Sequence, residues 1–331
     1  MRFSVNSERP LEVYYPVPRP DVKKKLWQRP NAESCGFTVV IPREHSGELI
    51  EFRCADTQTG ALDDGRQSFI LPDPGIRETL PDEDRRFRVV GNRDPYAFLL
   101  AGATDAFRVK RAYENYTGTT WPATGEEARR VLDFGVGCGR LARHLAPSLG
   151  ANFSGCDLDA DNLSWCAENL AGSYAASRLD PPLPYADGQF DIIYGVSVFT
   201  HLTQTWEQAW LTELHRVLKP GGIILMTVHG QTAIDFAGLA PGVYEDLMER
   251  VRREGLVVTG RNPQLDGFIE CPAEYVNVFH SKKHIQEVWG RLFERIEILP
   301  AYLYTHDLVV ARKPTAARSG RFGWLNFKRR A

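Results

Sequence analysis

No stretch of the sequence approaches the roughly 20 consecutive apolar residues that a membrane-spanning helix needs. The N-terminal run MRFSVNSERPLEVYYP also has no apolar core of signal-peptide length. A dominant charge is missing as well: 40 Lys and Arg stand against 42 Asp and Glu, a formal net charge of −2. That balance supplies no global field to gather nucleic acid or an anionic membrane. The six cysteines contain no C-x-x-C pair. Several lie inside apolar runs, so reduced, mostly buried thiols in a cytoplasmic protein are expected. No internal repeat is present.

What remains is ordinary globular composition, 43% hydrophobic and 25% charged. A length of 331 residues predicts one large domain with a smaller module. Residues 1–90 are rich in Pro, Gly and Asp, and the short β-type runs FTVVIP (37–42), LIEFRCAD (49–56) and QSFILP (67–72) stand between turn signals. They predict a small β-rich accessory module, with PDEDRR (81–86) as the linker.

Beyond residue 91 the pattern changes. PYAFLLAGATDAFRVKRAYENY reads as a helix with a break at Gly102. Strand and helix signals then alternate: RRVLDFG, RLARHLAPSL, NFSGCDLD, a helix over 160–171, FDIIYGVSVF, TWEQAWLTELHRVL stopped by KPGG, and GIILMTVH. Such alternation implies an α/β domain with a doubly wound parallel sheet covered on both faces, spanning 91–315. Residues 230–279 form a long insertion with one helix and scattered aromatics (Phe236, Tyr244, Phe268, Tyr275 and Phe279), expected as a lid or acceptor pocket. RIEILP and HDLVVARKP read as the last two strands. The basic, aromatic tail 316–331 is expected as a frayed terminus, with weak peripheral contact to an anionic surface as the alternative.

The sharpest local feature is VLDFGVGCGR (131–140), an apolar strand ending in Gly135, Gly137 and Gly139 and followed at once by a helix. Glycines there permit a tight turn and close ligand approach, while the helix start offers free N–H groups. The dinucleotide spacing G-x-G-x-x-G would need a small residue at position 140, where Arg140 stands.

VLDFGVGCGR instead resembles motif I of class I S-adenosylmethionine-dependent methyltransferases. GCDLD (155–159), LPYADGQFDIIYGVSVFTHL (183–202) and LHRVLKPGGIILMT (214–227) resemble the motifs that follow. Val136, where many members carry Cys or another small residue, is a mild departure. The resemblance covers about residues 95–313 and implies a seven-stranded Rossmann-like sheet with S-adenosylmethionine as cofactor. It also implies site roles: Gly135, Gly137 and Gly139 along the methionine part, Asp133 orienting the loop or reaching the amino group through water, and Asp157 on the ribose hydroxyls. Leu158 would lie against the adenine, Asp180 would accept from its amino group, and Val196 and Ser197 would face the sulfonium end. The helix around Tyr96–Tyr113 would cover the cofactor.

Asp157, Asp159 and Asp161 alternate and Glu168 stands twelfth from Asp157, close to the spacing of a calcium loop. NFSG rather than a helix precedes them, however, and Asn162 fills the position that requires glycine. No metal site is therefore expected. Asp159 and Asp161 fall at a helix start, where acids favour the dipole, and Glu168 is expected on the helix surface.

A hydroxyl acceptor needs a base. His201 in VFTHL and His229 in TVHG follow strands four and five and are the candidates; a structural histidine bonded to local backbone is the alternative for His201. His280 and His306 rank below them, and His215 is expected on a helix surface. The motif series looks most like bacterial methyltransferases associated with glycan and cell-surface polysaccharide pathways, which implies O-methylation of a sugar. A lipid-like or secondary-metabolite acceptor and a non-catalytic cofactor-binding module are the alternatives. No Asn-Pro-Pro-aromatic signature is present, which argues against base or amide targets.

Overall fold

The computed structural model describes residues 2–5, 13–27, 32–39, 49–55, 67–70, 79–123, 129–261 and 275–315. Phe268 and the tail 316–331 lie outside the described residues. In the N-terminal part, β1 (Arg2–Val5), β4 (Leu49–Ala55) and β5 (Gln67–Ile70) form an antiparallel sheet in the order β1-β4-β5. β2 (Val13–Val17) pairs with β3 (Gly36–Val39), and α1 (Pro20–Lys25) follows β2. The three expected β-runs are therefore strands, and β1 and β2 are additional.

PDEDRR is not a linker. Asp82 caps α2 (Glu83–Val90), accepting the amides of Asp84 and Arg85 at 3.1 and 2.9 Å, and Glu83 and Asp84 occupy the favourable first turn. Gly91, at φ 66°, ends the helix. α3 (Pro95–Thr117) begins with Asp94 as cap and Pro95 in the first turn, and it runs unbroken through Gly102. Gly102 serves packing: a Cβ there would collide with the carbonyl oxygen of Arg140.

The α/β body is a seven-stranded sheet in the order β13-β14-β10-β9-β6-β7-β8. β6 (Val131–Phe134), β7 (Phe153–Asp157), β8 (Ser173–Ala176), β9 (Phe190–Gly195) and β10 (Leu218–Val228) are parallel, and β14 (His306–Arg312) and β13 (Glu294–Leu303) close the edge antiparallel. α4 (Ala142–Leu149) and α5 (Ala160–Asn169) connect β6 to β7 and β7 to β8, and α6 (Gln204–Val217) precedes β10. β8, SYAA, was not anticipated; it is four residues long at a sheet edge, too short and too polar to stand out. KPGG does not separate α6 from the strand. It is the irregular first part of β10, whose register to β9 shifts between Leu218 and Ile223.

Burial on both faces explains the continuous apolar strands. Val131, Ile192, Tyr194, Leu225 and Val310 face α3, α4 and α5. Leu132, Phe134, Ile193, Ile224 and Val309 face α6 and α9 (Lys282–Trp289). The insertion after β10 folds as α7 (Gln231–Phe236), α8 (Pro241–Glu254) and the antiparallel pair β11 (Leu256–Arg261) and β12 (Val276–His280), with its own small core around Ile234, Val251 and Phe279. Among the described residues, Cys138, Cys156 and Cys166 are buried free thiols and Cys35 is exposed. No helix among them is long and apolar enough to cross a membrane.

Candidate functional site

The carboxyl ends of β6, β7 and β9 meet in one cleft. The loop after β6 turns on Gly135, Gly137 and Gly139, at φ 82°, 55° and 75°, a region that side chains other than glycine rarely adopt. Gly135 and Gly137 line the cleft. Gly139 does not; a Cβ there would collide with Leu170 and stand 3.2 Å from the Cys166 sulfur, so its role is close packing on α5. Three of the loop amides are already engaged. Those of Gly135 and Val136 donate to the Cys156 carbonyl at 2.9 and 3.0 Å, and that of Gly137 donates to Asp157 Oδ2 at 2.7 Å. Those three amides are thus engaged within the fold, and the loop shapes the cleft through its backbone path.

Asp157 ends β7 and faces the cleft, with its second oxygen accepting the Asp159 amide at 2.8 Å. Burial pushes its carboxyl up to about 6, with the two amides opposing that rise. Leu158 is 39% exposed on the cleft wall. The neighbouring acids have separate duties. Asp159 caps α5 and lies 3.1 Å from Arg88 Nε, Asp161 pairs with Arg85 and Arg88, and Glu168 is exposed.

Asp133 sits behind the loop and not in the cleft. It is 4% exposed and accepts the Tyr194 hydroxyl at 2.7 Å, across the β6–β9 register that pairs the two residues. Burial pushes its carboxyl up to about 7, against the opposing hydrogen bond from Tyr194. Asp180 also lies apart: its carboxylate is turned to Arg178 at 3.3 Å and is half exposed, while Ser177, Arg178 and Leu179 line the cleft in its place. Val196 and Ser197 both line it. Ser197 holds φ 63° at the end of β9 and donates its amide to Thr227 Oγ1 at 2.7 Å, a strained backbone of the kind that gathers at functional sites.

One expectation from motif reading shifts here. α2, not α3, covers the loop: Arg88 and Val89 line the cleft, and a Cβ on Gly137 would stand 2.9 Å from Val89. α3 instead braces the outer side through Gly102 and the Asp105–Arg140 ion pair. The acidic cap signal in PDEDRR was the available clue to α2.

Both candidate histidines are held by β12. The Val276 carbonyl meets His201 Nδ1 at 2.8 Å and the Val278 carbonyl meets His229 Nδ1 at 3.2 Å, while backbone bonds from Val278 to Thr200 and from His280 to His229 dock the strand. A carbonyl can only accept, so each ring carries its proton on Nδ1 and its lone pair on Nε2. Burial holds His201 down to about 4, and burial with His306 and His201 nearby holds His229 down to about 2, so both are neutral at neutral pH. His201 lines the cleft, with Tyr275 tilted over it at 4.0 Å between ring centres; His229 lies outside the cleft, 6.2 Å from His201 and 4.8 Å from His306. Tyr275, one of the scattered insertion aromatics, thus joins the cleft.

Among the described residues, His280, His284 and His215 lie outside the cleft lining. His280 and His284 flank the fully buried Glu207 carboxylate at 3.3 and 2.7 Å, with the Trp289 indole N–H donating to it at 2.8 Å. His215 is half-buried against Phe293 and not on an open surface.

Residues 131–222 match a family model described as a methyltransferase domain, Methyltransf_25. The fatty-acid O-methyltransferase of Mycolicibacterium smegmatis is 36% identical over 104 residues, 30% of this chain and 37% of that protein. A demethylmenaquinone methyltransferase of Chlorobaculum parvum is 33% identical over 101 residues, 30% and 40% of the two chains. A methyltransferase structure from Methanosarcina mazei aligns at 18% identity and a TM-score of 0.42, covering 62% of this chain and 98% of that one. The chain spans between 24% and 51% of the length of the curated relatives it matches. Residues 131–222 therefore match a methyltransferase domain, on a strand order and a glycine loop that agree with the class I S-adenosylmethionine-dependent type, and S-adenosylmethionine is the cofactor that this match implies.

Proposed function

We propose that the chain transfers a methyl group from S-adenosylmethionine to a hydroxyl of a small, sugar-type acceptor. The observation that carries this reading is the juxtaposition, in one cleft, of the Asp157 carboxylate, the left-handed glycines and the neutral His201 ring. The residues present fit the cofactor. Asp157 keeps lone pairs for two ribose hydroxyls beyond the amides it already accepts, Leu158 offers an exposed apolar face, and Val196 and Ser197 border the reacting end. When bound, S-adenosylmethionine supplies an electrophilic methyl group whose S–C bond breaks as the O–C bond forms.

The chain's own task is positioning and proton removal. His201 presents Nε2 as an acceptor because Val276 holds its Nδ1 proton. Its hydroxyl partner is oriented by that nitrogen and loses its proton to it as the new bond forms. Tyr275, Trp206 and Trp210 line the cleft with aromatic surface that excludes water. Asp133 and Gly139 act from behind, on Tyr194 and α5.

A second reading, transfer to a lipid-like carboxylate, is favoured by the similarity to a fatty-acid O-methyltransferase. A carboxylate acceptor needs no base, so the two readings separate at His201. Native mass spectrometry and calorimetry should first show binding of S-adenosylhomocysteine; a folded protein that binds neither cofactor form would overturn the assignment. Turnover with hydroxyl and carboxylate acceptor panels then decides between the readings. His201→Ala should lower hydroxyl methylation about a hundredfold, and unchanged turnover would remove the base from the mechanism.

A further inference from the structure

A second cavity of about 400 Å³ lies between α1, α7, β12 and the β13–β14 turn. His229 forms part of its wall, while the adjoining His201 belongs to the cleft; the two rings stand 6.2 Å apart and nearly perpendicular. Resting on the methyltransferase reading above, we infer that this cavity seats the acceptor, that α1 of the N-terminal part completes it, and that the ligand class is a neutral hydroxylated ring such as a glycosyl residue.

The position follows from the histidine pair. An acceptor lodged beside His229 stands next to His201, whose ring is 6.2 Å from that of His229 and lines the cleft where the methyl group would be delivered. The lining sets the class. Arg19 and Asp21 face one another through two hydrogen bonds of 2.8 and 2.6 Å, so their charges cancel and no excess cation is offered to a phosphate or carboxylate. Asn277, Thr305 and His229 add neutral polar groups, and Phe236 and Phe279 add ring faces suited to the C–H side of a saturated ring. A long acyl chain would instead need a lining without this polar half.

The mouth carries an independent sign of a ligand. Tyr304 is 78% exposed and holds φ 59°, with its ring 6.4 Å from Phe236, itself 40% exposed. Tyr304 takes that φ in the two-residue turn joining β13 to β14, and its exposed ring adds apolar surface beside Phe236, a feature of binding sites.

α1 is fixed to the cavity from outside the sheet. Just beyond it, Trp27 donates its indole N–H to the Leu239 carbonyl at 3.0 Å and meets Tyr244 edge-on at 6.0 Å. The N-terminal part thereby gains a function that its own strands do not suggest: it supplies the wall that reads the acceptor.

Saturation-transfer NMR on the full chain with S-adenosylhomocysteine tests this, using methyl glycosides of common hexoses and 6-deoxyhexoses as probes. Wild type should receive transfer from at least one glycoside. Phe236→Ala and the double variant Arg19→Ala/Asp21→Ala should each weaken it about tenfold, with S-adenosylhomocysteine affinity unchanged by calorimetry. Trp27→Ala should act like them, and circular dichroism confirms that each variant is folded. A wild type that binds S-adenosylhomocysteine but contacts no glycoside overturns the inference, as does glycoside contact that survives all three variants. Failure to bind S-adenosylhomocysteine would instead sink the methyltransferase reading itself.

Discussion

The Asp157 carboxylate accepts the Gly137 amide at 2.7 Å, so the acid proposed to hold the ribose also fixes the loop beside it. Asp157→Ala should therefore weaken S-adenosylhomocysteine binding roughly ten- to hundredfold, the value of one or two charge-assisted hydrogen bonds. The pH dependence has a defined sign. Burial pushes this carboxyl up to about 6, and only the ionised form accepts from both hydroxyls. Calorimetry from pH 8 down to 5 should show affinity constant above about 6.5 and falling below 6. A flat profile would show that the carboxylate does not contact the ligand.

Arg88 ties α2 to α5. Its side chain and that of Asp159 are each 5% exposed, and it also reaches Asp161 at 2.6 Å and Asn162 at 3.2 Å. Arg88→Ala leaves Asp159 buried without its cation and should cost about 3–5 kcal/mol in a urea melt. Cofactor affinity should fall too, because Arg88 and Val89 line the cleft. Arg85 is more open, and its partner Asp161 is 54% exposed, so Arg85→Ala should cost under about 1 kcal/mol.

Gly102→Ala separates local from tertiary preference. Within a helix, alanine is favoured over glycine by about 1 kcal/mol. Here the added methyl would collide with the Arg140 carbonyl, a backbone atom at the glycine loop that cannot swing aside. The variant should be destabilised by about 1–3 kcal/mol, read as a lower midpoint in thermal unfolding. Stabilisation would show that α3 does not dock this closely.

Glu207 sets an acid limit. Burial alone would raise its carboxyl, but His280 and His284 outweigh that and hold it down to about 2, below its ordinary 4.5. A depressed carboxyl contributes stability above its unfolded value and loses it as pH falls through the folded one. Stability should thus drop by about 3 kcal/mol between pH 4.5 and 2. Glu207→Gln should be less stable at pH 7 and should lack that share of the acid dependence.

Much of the body was legible because its signals are local. The run from VLDFG to TVH announces alternating strands and helices, since strands buried on both faces read as apolar blocks. Asp157, Gly135, Gly137, Val196 and Ser197 all reach the cleft because each ends a parallel strand, and strand ends share one edge of the sheet. Asp180 stands outside the cleft lining for a related reason: it lies in a loop, where no periodicity sets which way a side chain turns.

Short-range spacing and hydrophobic pattern carry every strand of the sheet except β8, together with the glycine turn and the acid beside it. Tertiary structure alone decided the rest. β12 arrives from about 50 residues beyond β10 to fix the tautomers of His201 and His229, α2 covers the loop, and α1 closes a cavity against α7. These contacts join segments far apart in the chain, and the free energy that aligns them comes from packing and hydrogen bonds that no local pattern encodes.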